Sequence, residues 1–113
     1  MTAIAMSQWE SKKTDETRLV ESTVRKGGFL QVDAYRYNSA VIRVRVIDER
    51  FHGLSVEQRD AMVEPFLAQL PESTQGDIVT LMTFAPDEVN EGSSRLRERL
   101  LNLEFEDPSR TGL

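Results

Sequence analysis

The chain has no cysteine and a single histidine among its 113 residues. The absence of cysteine excludes disulfide bonds, thiolate ligands for zinc or iron–sulfur clusters, and a cysteine nucleophile. One histidine excludes a metal site built from two histidines of the same chain. No apolar run approaches the roughly 20 residues that a membrane-spanning helix needs. These absences leave little basis for a self-contained enzyme, so we expect no catalytic residues, no bound metal and no cofactor.

The net charge of −5 disfavours general attraction to the phosphates of nucleic acids. Hydrophobic residues make up 39% of the chain and charged residues 29%, which is typical of a globular domain. The apolar segment 1–6 follows no positively charged stretch, and Trp9 and Glu10 come soon after it. We therefore expect no secretory signal peptide and a cytoplasmic location.

The strongest local signal is a β-hairpin between Phe29 and Ile47. Apolar and polar residues alternate with a period of two, which predicts two strands with one buried face. A two-residue turn would place arginines among the apolar side chains, whereas a three-residue loop, Asn38–Ala40, keeps the apolar residues together. The pairs predicted by this second register are Val32 with Val46, Ala34 with Val44, Asp33 with Arg45, and Tyr35 with Arg43.

Helical patterns lie on both sides of the hairpin. Asp15 or Thr14 is a candidate N-cap for a helix that begins near Thr17 and ends at Lys26, before Gly27-Gly28. Ser55 and Gln58 have the spacing of a capping box at the start of a second helix. Pro65 is expected to kink this helix or to split it near Glu64, and Leu70-Pro71 ends it.

The rest of the chain predicts one more strand and one more helix. Glu72–Gly76 is expected to form a loop, and Asp77–Phe84 is apolar enough to be a central strand buried on both faces. Pro86 is followed by Asp87-Glu88, which favours a short helical turn. Leucines at i, i+4 and i+7 predict an amphipathic helix over Arg95–Leu103.

This order is helix, strand, strand, helix, strand, helix. It predicts an α+β fold in which helices pack on one face of a small three-stranded sheet. We expect a single domain over residues 17–103, between a flexible lead-in (1–16) and a flexible tail (104–113).

Residues 29–89 carry short motifs that resemble the BolA family. The matching segments are Leu30-x-Val32-Asp33, Phe51-x-Gly53-x-Ser55, Arg59 with Val63 and Leu67 in a helix, Leu81-x-Thr83, and Pro86-x-Glu88. The resemblance implies a BolA-like fold, which is similar to a KH domain. It also implies a protein partner of the monothiol glutaredoxin type, with which BolA proteins share an iron–sulfur cluster.

The chain departs from the family pattern where that pattern carries cluster ligands. Asp60 follows Arg59 where the family has histidine, and Asp77 occupies the position of a ligand histidine. The loop Asn38–Ala40 is short and has neither cysteine nor histidine, and His52 lies inside the F-x-G segment. The resemblance therefore implies the fold more than the cluster function. The G-x-x-G loop with which KH domains contact RNA is absent.

Six residues are candidates for a binding site. The hairpin region offers an arginine–aromatic face to nucleic acid or to an acidic partner, made of Arg36, Arg43, Arg45 and Arg50 with Tyr35 and Tyr37. The alternative is a solvated sheet face on which Asp33 pairs with Arg45 and Tyr35 stacks on Arg43. The histidine could titrate near neutral pH, or it is a loop residue without a role. The six candidates are Tyr35, Arg43, Arg45, Arg50, His52 and Arg59.

The carboxylates give no sign of catalysis. No spacing brings two of them together with a nucleophile or base, and Glu57 and Asp60 suit the first turn of a helix. The carboxylates considered are Asp60, Asp77, Asp87 and Glu88.

Three functions follow in order of preference. The first is a non-enzymatic protein-binding or adaptor domain that does not itself ligate a metal cluster. The second is a nucleic-acid-binding regulator that uses the basic hairpin, and the third is a small-molecule or catalytic domain. A homodimer is also conceivable, through the outer edge of the hairpin, the helix Arg95–Leu103 or an apolar patch of Ile4, Met6 and Trp9.

Overall fold

A computed structural model describes residues 12–91 of the chain, with side chains as far as Val89. Three predicted features lie outside the described residues: the apolar patch of Ile4, Met6 and Trp9, the helix Arg95–Leu103 and the tail 104–113. Among the helices of the described part, none is long and apolar enough to cross a membrane. The elements are α1 (Asp15–Arg25), β1 (Gln31–Asn38), β2 (Val41–Ile47), a 3-10 turn (Glu49–Phe51), α2 (Val56–Leu67), α3 (Glu72–Asp77), β3 (Ile78–Phe84) and α4 (Pro86–Glu91).

The sheet has three strands in the order β1-β2-β3, which confirms the predicted α+β fold. β1 and β2 are antiparallel, and all four predicted cross-strand pairs are present. The predicted three-residue loop Asn38–Ala40 is wrong, because Asn38 pairs with Val41 and the turn has two residues, Ser39 and Ala40. A register shift places Tyr37 in a β-bulge. The bulge supplies the odd residue that keeps the apolar side chains on one face.

β3 is not the central strand, and that prediction is wrong. It runs parallel to β2, which is the central strand and separates β3 from β1. The apolar sequence of β3 has another cause, because both faces of its second half are covered. Leu81 packs against the larger core on one face, and Met82 and Phe84 belong to a second cluster on the other.

The two long helices begin with the expected capping devices. Thr14 and Thr17 form a capping box, so α1 begins at Asp15, two residues before the predicted start. The predicted box of Ser55 and Gln58 is present at the start of α2. α2 continues unbroken past Pro65, so the prediction of a split is wrong. Pro65 lies in the last turn, so its ring can disturb α2 only near its end at Leu67.

Residues 72–77 form the short helix α3 rather than the predicted loop. Ser73, Thr74 and Gly76 are weak helix formers, so tertiary contacts stabilise this turn. The Thr74 hydroxyl donates to Glu16 at 2.7 Å, and the Gln75 side-chain amide donates to the Leu70 carbonyl at 2.6 Å. Both contacts are invisible in a local sequence pattern.

Side chains are buried on both faces of the sheet. α1 and α2 cover one face, where they contribute Val20, Val24 and Val63 to the main core. On the opposite face, Tyr35 is 1% exposed and packs with Ile47, Met82 and Phe84, joined by the partly buried Val89 of α4.

Candidate functional site

The predicted arginine–aromatic face of the hairpin is buried at Tyr35 and Arg45 and partly exposed at Arg43 and Tyr37. Arg45 is 2% exposed, and its guanidinium pairs with Asp33 at 2.8 Å. Arg43 donates to the Tyr35 hydroxyl at 3.1 Å and lies 3.7 Å from the ring centroid of Tyr37. Tyr37, not Tyr35, is therefore the stacking partner of Arg43. The pair of Asp33 and Arg45 that the alternative predicted is present, but Tyr35 and Arg45 are buried and not solvated.

Arg50 organises the connection after β2. Its Nε lies 2.8 Å from Asp48 Oδ1, and its guanidinium also donates to the Gly27 carbonyl and lies 4.8 Å from the Phe29 ring centroid. The hydrogen bond from the Arg50 side chain holds the pKa of Asp48 below its usual range. Asp48 also accepts the backbone N–H of Leu30, so the residue ties the start of β1 to the end of β2.

Arg59 joins four parts of the chain, and its side chain is largely buried. It donates to the carbonyls of Leu54 and Thr83, each at 3.0 Å, and to both carboxylate oxygens of Glu88, at 2.6 and 2.9 Å. Its hydrogen bond lowers the pKa of Glu88. Nearby, the exposed His52 lies 3.1 Å from Asp87 through its Nε2 atom.

The six predicted residues therefore form two separate groups. Tyr35, Arg43 and Arg45 lie on the second sheet face, while Arg50, His52 and Arg59 belong to the connections around α2 and α4. Each arginine contacts a carboxylate, a hydroxyl or an aromatic ring, so these cations serve internal contacts. Within residues 12–91, no group of three or more histidine and acidic side chains is placed to hold a metal ion.

The outer edge of β1, predicted as a dimer contact, is covered. In the observed register, three residues of β1 direct their backbone groups away from β2: Val32, Ala34 and Arg36. Side chains of α1 and the backbone of the segment before it occupy three of those groups. The Arg25 guanidinium donates to the Val32 carbonyl (3.2 Å), the Ala34 N–H donates to Glu21 (2.9 Å), and the Arg36 N–H donates to the Lys12 carbonyl (3.2 Å).

On the outer edge of β3, the backbone of Leu81 has no hydrogen-bond partner among residues 12–91, whereas Thr83 is buried (7% exposed). The Asp48 N–H donates to the Phe84 carbonyl, so Phe84 faces β2, and alternation turns Leu81 and Thr83 outward. Arg59 occupies the Thr83 carbonyl. Among residues 12–91, the N–H and carbonyl of Leu81 and the N–H of Thr83 have no hydrogen-bond partner.

Two further features distinguish this edge. β3 has no charged residue, although edge strands are commonly protected by charge. Val79, placed in a bulge by a register shift, is 62% exposed. The uncharged sequence 78–84 was the available signal for an open edge, but sequence analysis assigned β3 to the centre of the sheet.

A groove adjoins the start of β3. Its volume is about 290 Å³, and its lining residues are Glu64, Leu67, Ala68, Gln75 and Ile78. This volume falls at the lower limit for a small-molecule pocket, for which about 300–1,000 Å³ is typical. The groove therefore fits a single side chain better than a whole metabolite. Ile78 is both a wall of the groove and the first residue of the open strand.

Comparisons with known proteins identify no relative. No protein-family model, no curated protein and no solved structure matches the chain. The function must therefore be inferred from the residues themselves. The open β3 edge and its groove are the surface on which that inference is built.

Proposed function

We propose that the chain is a non-catalytic protein-binding domain with a BolA-like fold, and that it binds an extended segment of a partner protein along β3. The observation that carries this proposal is the edge at the half-buried Leu81, whose N–H and carbonyl have no hydrogen-bond partner among residues 12–91. Backbone groups at a sheet edge pair with an added strand, a recurrent mode of peptide recognition. The covered β1 edge leaves β3 as the strand on which such an addition can occur.

The family resemblance supports the fold part of the proposal. The elements follow one another in the order that the resemblance implies: a hairpin, the turn containing Phe51, a helix opening at Ser55 and a third strand. Asp77, at the position of a family ligand histidine, pairs with Arg36 at 2.6 Å. That ion pair supports a domain that does not itself ligate a cluster. A glutaredoxin-type partner and a cytoplasmic location stay predictions.

The nucleic-acid alternative has weaker support. Arg43, Arg45 and Arg59 are committed to internal contacts, and the chain carries a net charge of −5. Phosphate binding depends on cations that are free to replace counterions. The test below therefore includes oligonucleotides as a competing ligand.

Peptide selection followed by NMR tests strand addition on the full chain. Peptides are selected from a display library with β-branched residues at alternate positions, and their contacts are mapped by amide hydrogen exchange. We expect bound peptides to slow exchange at Leu81. Alternate residues of the bound peptide direct their N–H groups toward β3. N-methylation of this set of residues should abolish binding.

A pair of variants localises the binding. Val79→Lys places a charge on the open edge and should weaken the selected peptides about ten-fold. Leu30→Lys is the matched control, because Leu30 is 66% exposed but lies before β1, and it should leave binding unchanged. Peptides that protect other amides, or oligonucleotides that bind in their place, would overturn the proposal.

A further inference from the structure

The groove beside β3 has apolar walls and a polar rim that offers hydrogen-bond acceptors. Leu67, Ala68 and Ile78 supply the walls. Glu64 is exposed, and within the described residues its side chain has no ion pair. The Gln75 amide nitrogen donates to the carbonyls of Leu70 and Ala68, which leaves its oxygen as an acceptor.

We infer that the segment bound along β3 carries a lysine or arginine whose side chain enters this groove; the inference rests on the proposed strand addition. A long aliphatic stem fits against Leu67 and Ile78, while the charged end reaches the Glu64 carboxylate. A neutral or acidic side chain would leave Glu64 without a counter-charge. The chain's net charge of −5 also favours a basic partner.

The position of the groove sets where the basic residue must lie in the segment. Side chains of an added strand alternate between the two faces of the sheet. Those on the face of Leu81 point toward α2, because Leu81 packs in the core that α2 covers. The side chain of the added strand that lies nearest Ile78 on this face enters the groove. The basic residue therefore belongs at the end of the segment that pairs with the start of β3.

The experiment compares three versions of one selected peptide, with lysine, norleucine or alanine at the groove position. Norleucine keeps an aliphatic stem but has no charge. On the wild-type chain we expect lysine to bind about five-fold tighter than norleucine, as a partly exposed ion pair allows. We expect alanine to bind weakest, because it fills none of the groove.

Three variants assign that preference to the groove. Glu64→Gln should remove the difference in affinity between the lysine and norleucine peptides. The two peptides and the two chains together form a double-mutant cycle. Ala68→Leu should fill the groove and bring lysine and norleucine down to the affinity of alanine. Glu72→Gln is the control, because Glu72 is an exposed carboxylate of α3 that does not line the groove.

The outcomes separate this inference from the proposed function. Equal binding of the three peptides, still sensitive to Val79→Lys, would overturn the groove inference and leave strand addition intact. Failure of every peptide to protect Leu81 would overturn both. A concentration-dependent dimer that Val79→Lys dissociates, measured by analytical ultracentrifugation, would also overturn the inference, since a second copy would then occupy the edge.

Discussion

Gly27 shows how closely single residues are packed beneath α1. A Cβ atom at this position would lie 2.5 Å from Phe29 Cε2 and 2.8 Å from Phe66 Cε2. Those two rings pack edge to face with centroids 6.0 Å apart, and Phe29 also contacts Phe51. Gly27 is therefore required for space. The next residue, Gly28, is required for its backbone, because its φ of 75° lies in the left-handed region.

Gly27→Ala should lower the free energy of unfolding by about 1–3 kcal/mol, because the added methyl group overpacks the aromatic cluster. Chemical denaturation of the full chain measures this loss. Gly76→Ala is the matched control, since a Cβ there meets no atom within 4 Å. It should leave stability unchanged or raise it by up to about 1 kcal/mol. Equal effects of the two substitutions would contradict the packing role of Gly27.

At the scale of elements, the two edges of the sheet differ in what lies beside them. α1 runs next to β1, and its Glu21 is 2% exposed while its carboxylate accepts the Ala34 N–H. The same carboxylate pairs with Lys13 at 3.0 Å. No comparable contact from residues 12–91 occupies Leu81 on β3. One helical side chain therefore helps to cover the β1 edge of the sheet.

Glu21→Ala should cost about 1–3 kcal/mol, because it leaves the buried N–H of Ala34 without its acceptor. Amide hydrogen exchange should quicken at Ala34 before it does at Val44 in the central strand. Asp15→Ala provides a comparison within the same helix, since Asp15 is fully exposed and forms only a long pair with Arg18. The Asp15 change should stay within about 0.5 kcal/mol. Unchanged exchange at Ala34 would disprove the capping role.

At the scale of the whole molecule, arginines connect segments that are distant in sequence. Arg36 joins Glu16 of α1 to Asp77 of α3, and Arg59 joins α2 to Glu88 of α4. Hydrogen bonds from Thr74 and Arg36 lower the pKa of Glu16, as the bond from Arg59 does for Glu88. Carboxylates of this kind make the stability of the whole fold depend on pH.

The sign of that dependence follows from the lowered pKa values. As the pH falls, Glu16 and Glu88 bind protons at a higher pH in the unfolded chain than in the folded chain. Their contribution to the free energy of unfolding is therefore full above about pH 5, and it falls as the pH drops below about 4.3. Glu88→Gln should be about 1–2 kcal/mol less stable than wild type at pH 7, because Arg59 loses a charged acceptor. The difference should shrink toward acid pH as wild-type Glu88 becomes protonated.

Urea denaturation at a series of pH values measures these stabilities. Glu57→Gln removes the same charge from an exposed position in the first turn of α2 and should follow the wild-type profile closely. A Glu88→Gln profile that runs parallel to wild type at all pH values would refute the role of the Arg59–Glu88 pair in acid unfolding.

The sequence by itself determined the hairpin and the helix starts. Alternation from Phe29 to Ile47 selected one register, because a slip of one residue would place arginines in the core. Thr14 and Ser55 cap their helices through residues three positions further on, so local sequence contains both partners. The α+β class follows from the order of these elements.

The tertiary structure decided the rest, because the deciding contacts join residues that are far apart in the chain. Arg45 and Tyr35 are buried since the second sheet face also packs, which no period-two pattern reveals. α3 forms because Thr74 meets Glu16, and β1 is covered because Glu21 meets Ala34. The open edge of β3 could be recognised only when the order of the strands was known, since an uncharged apolar strand fits the centre of a sheet equally well.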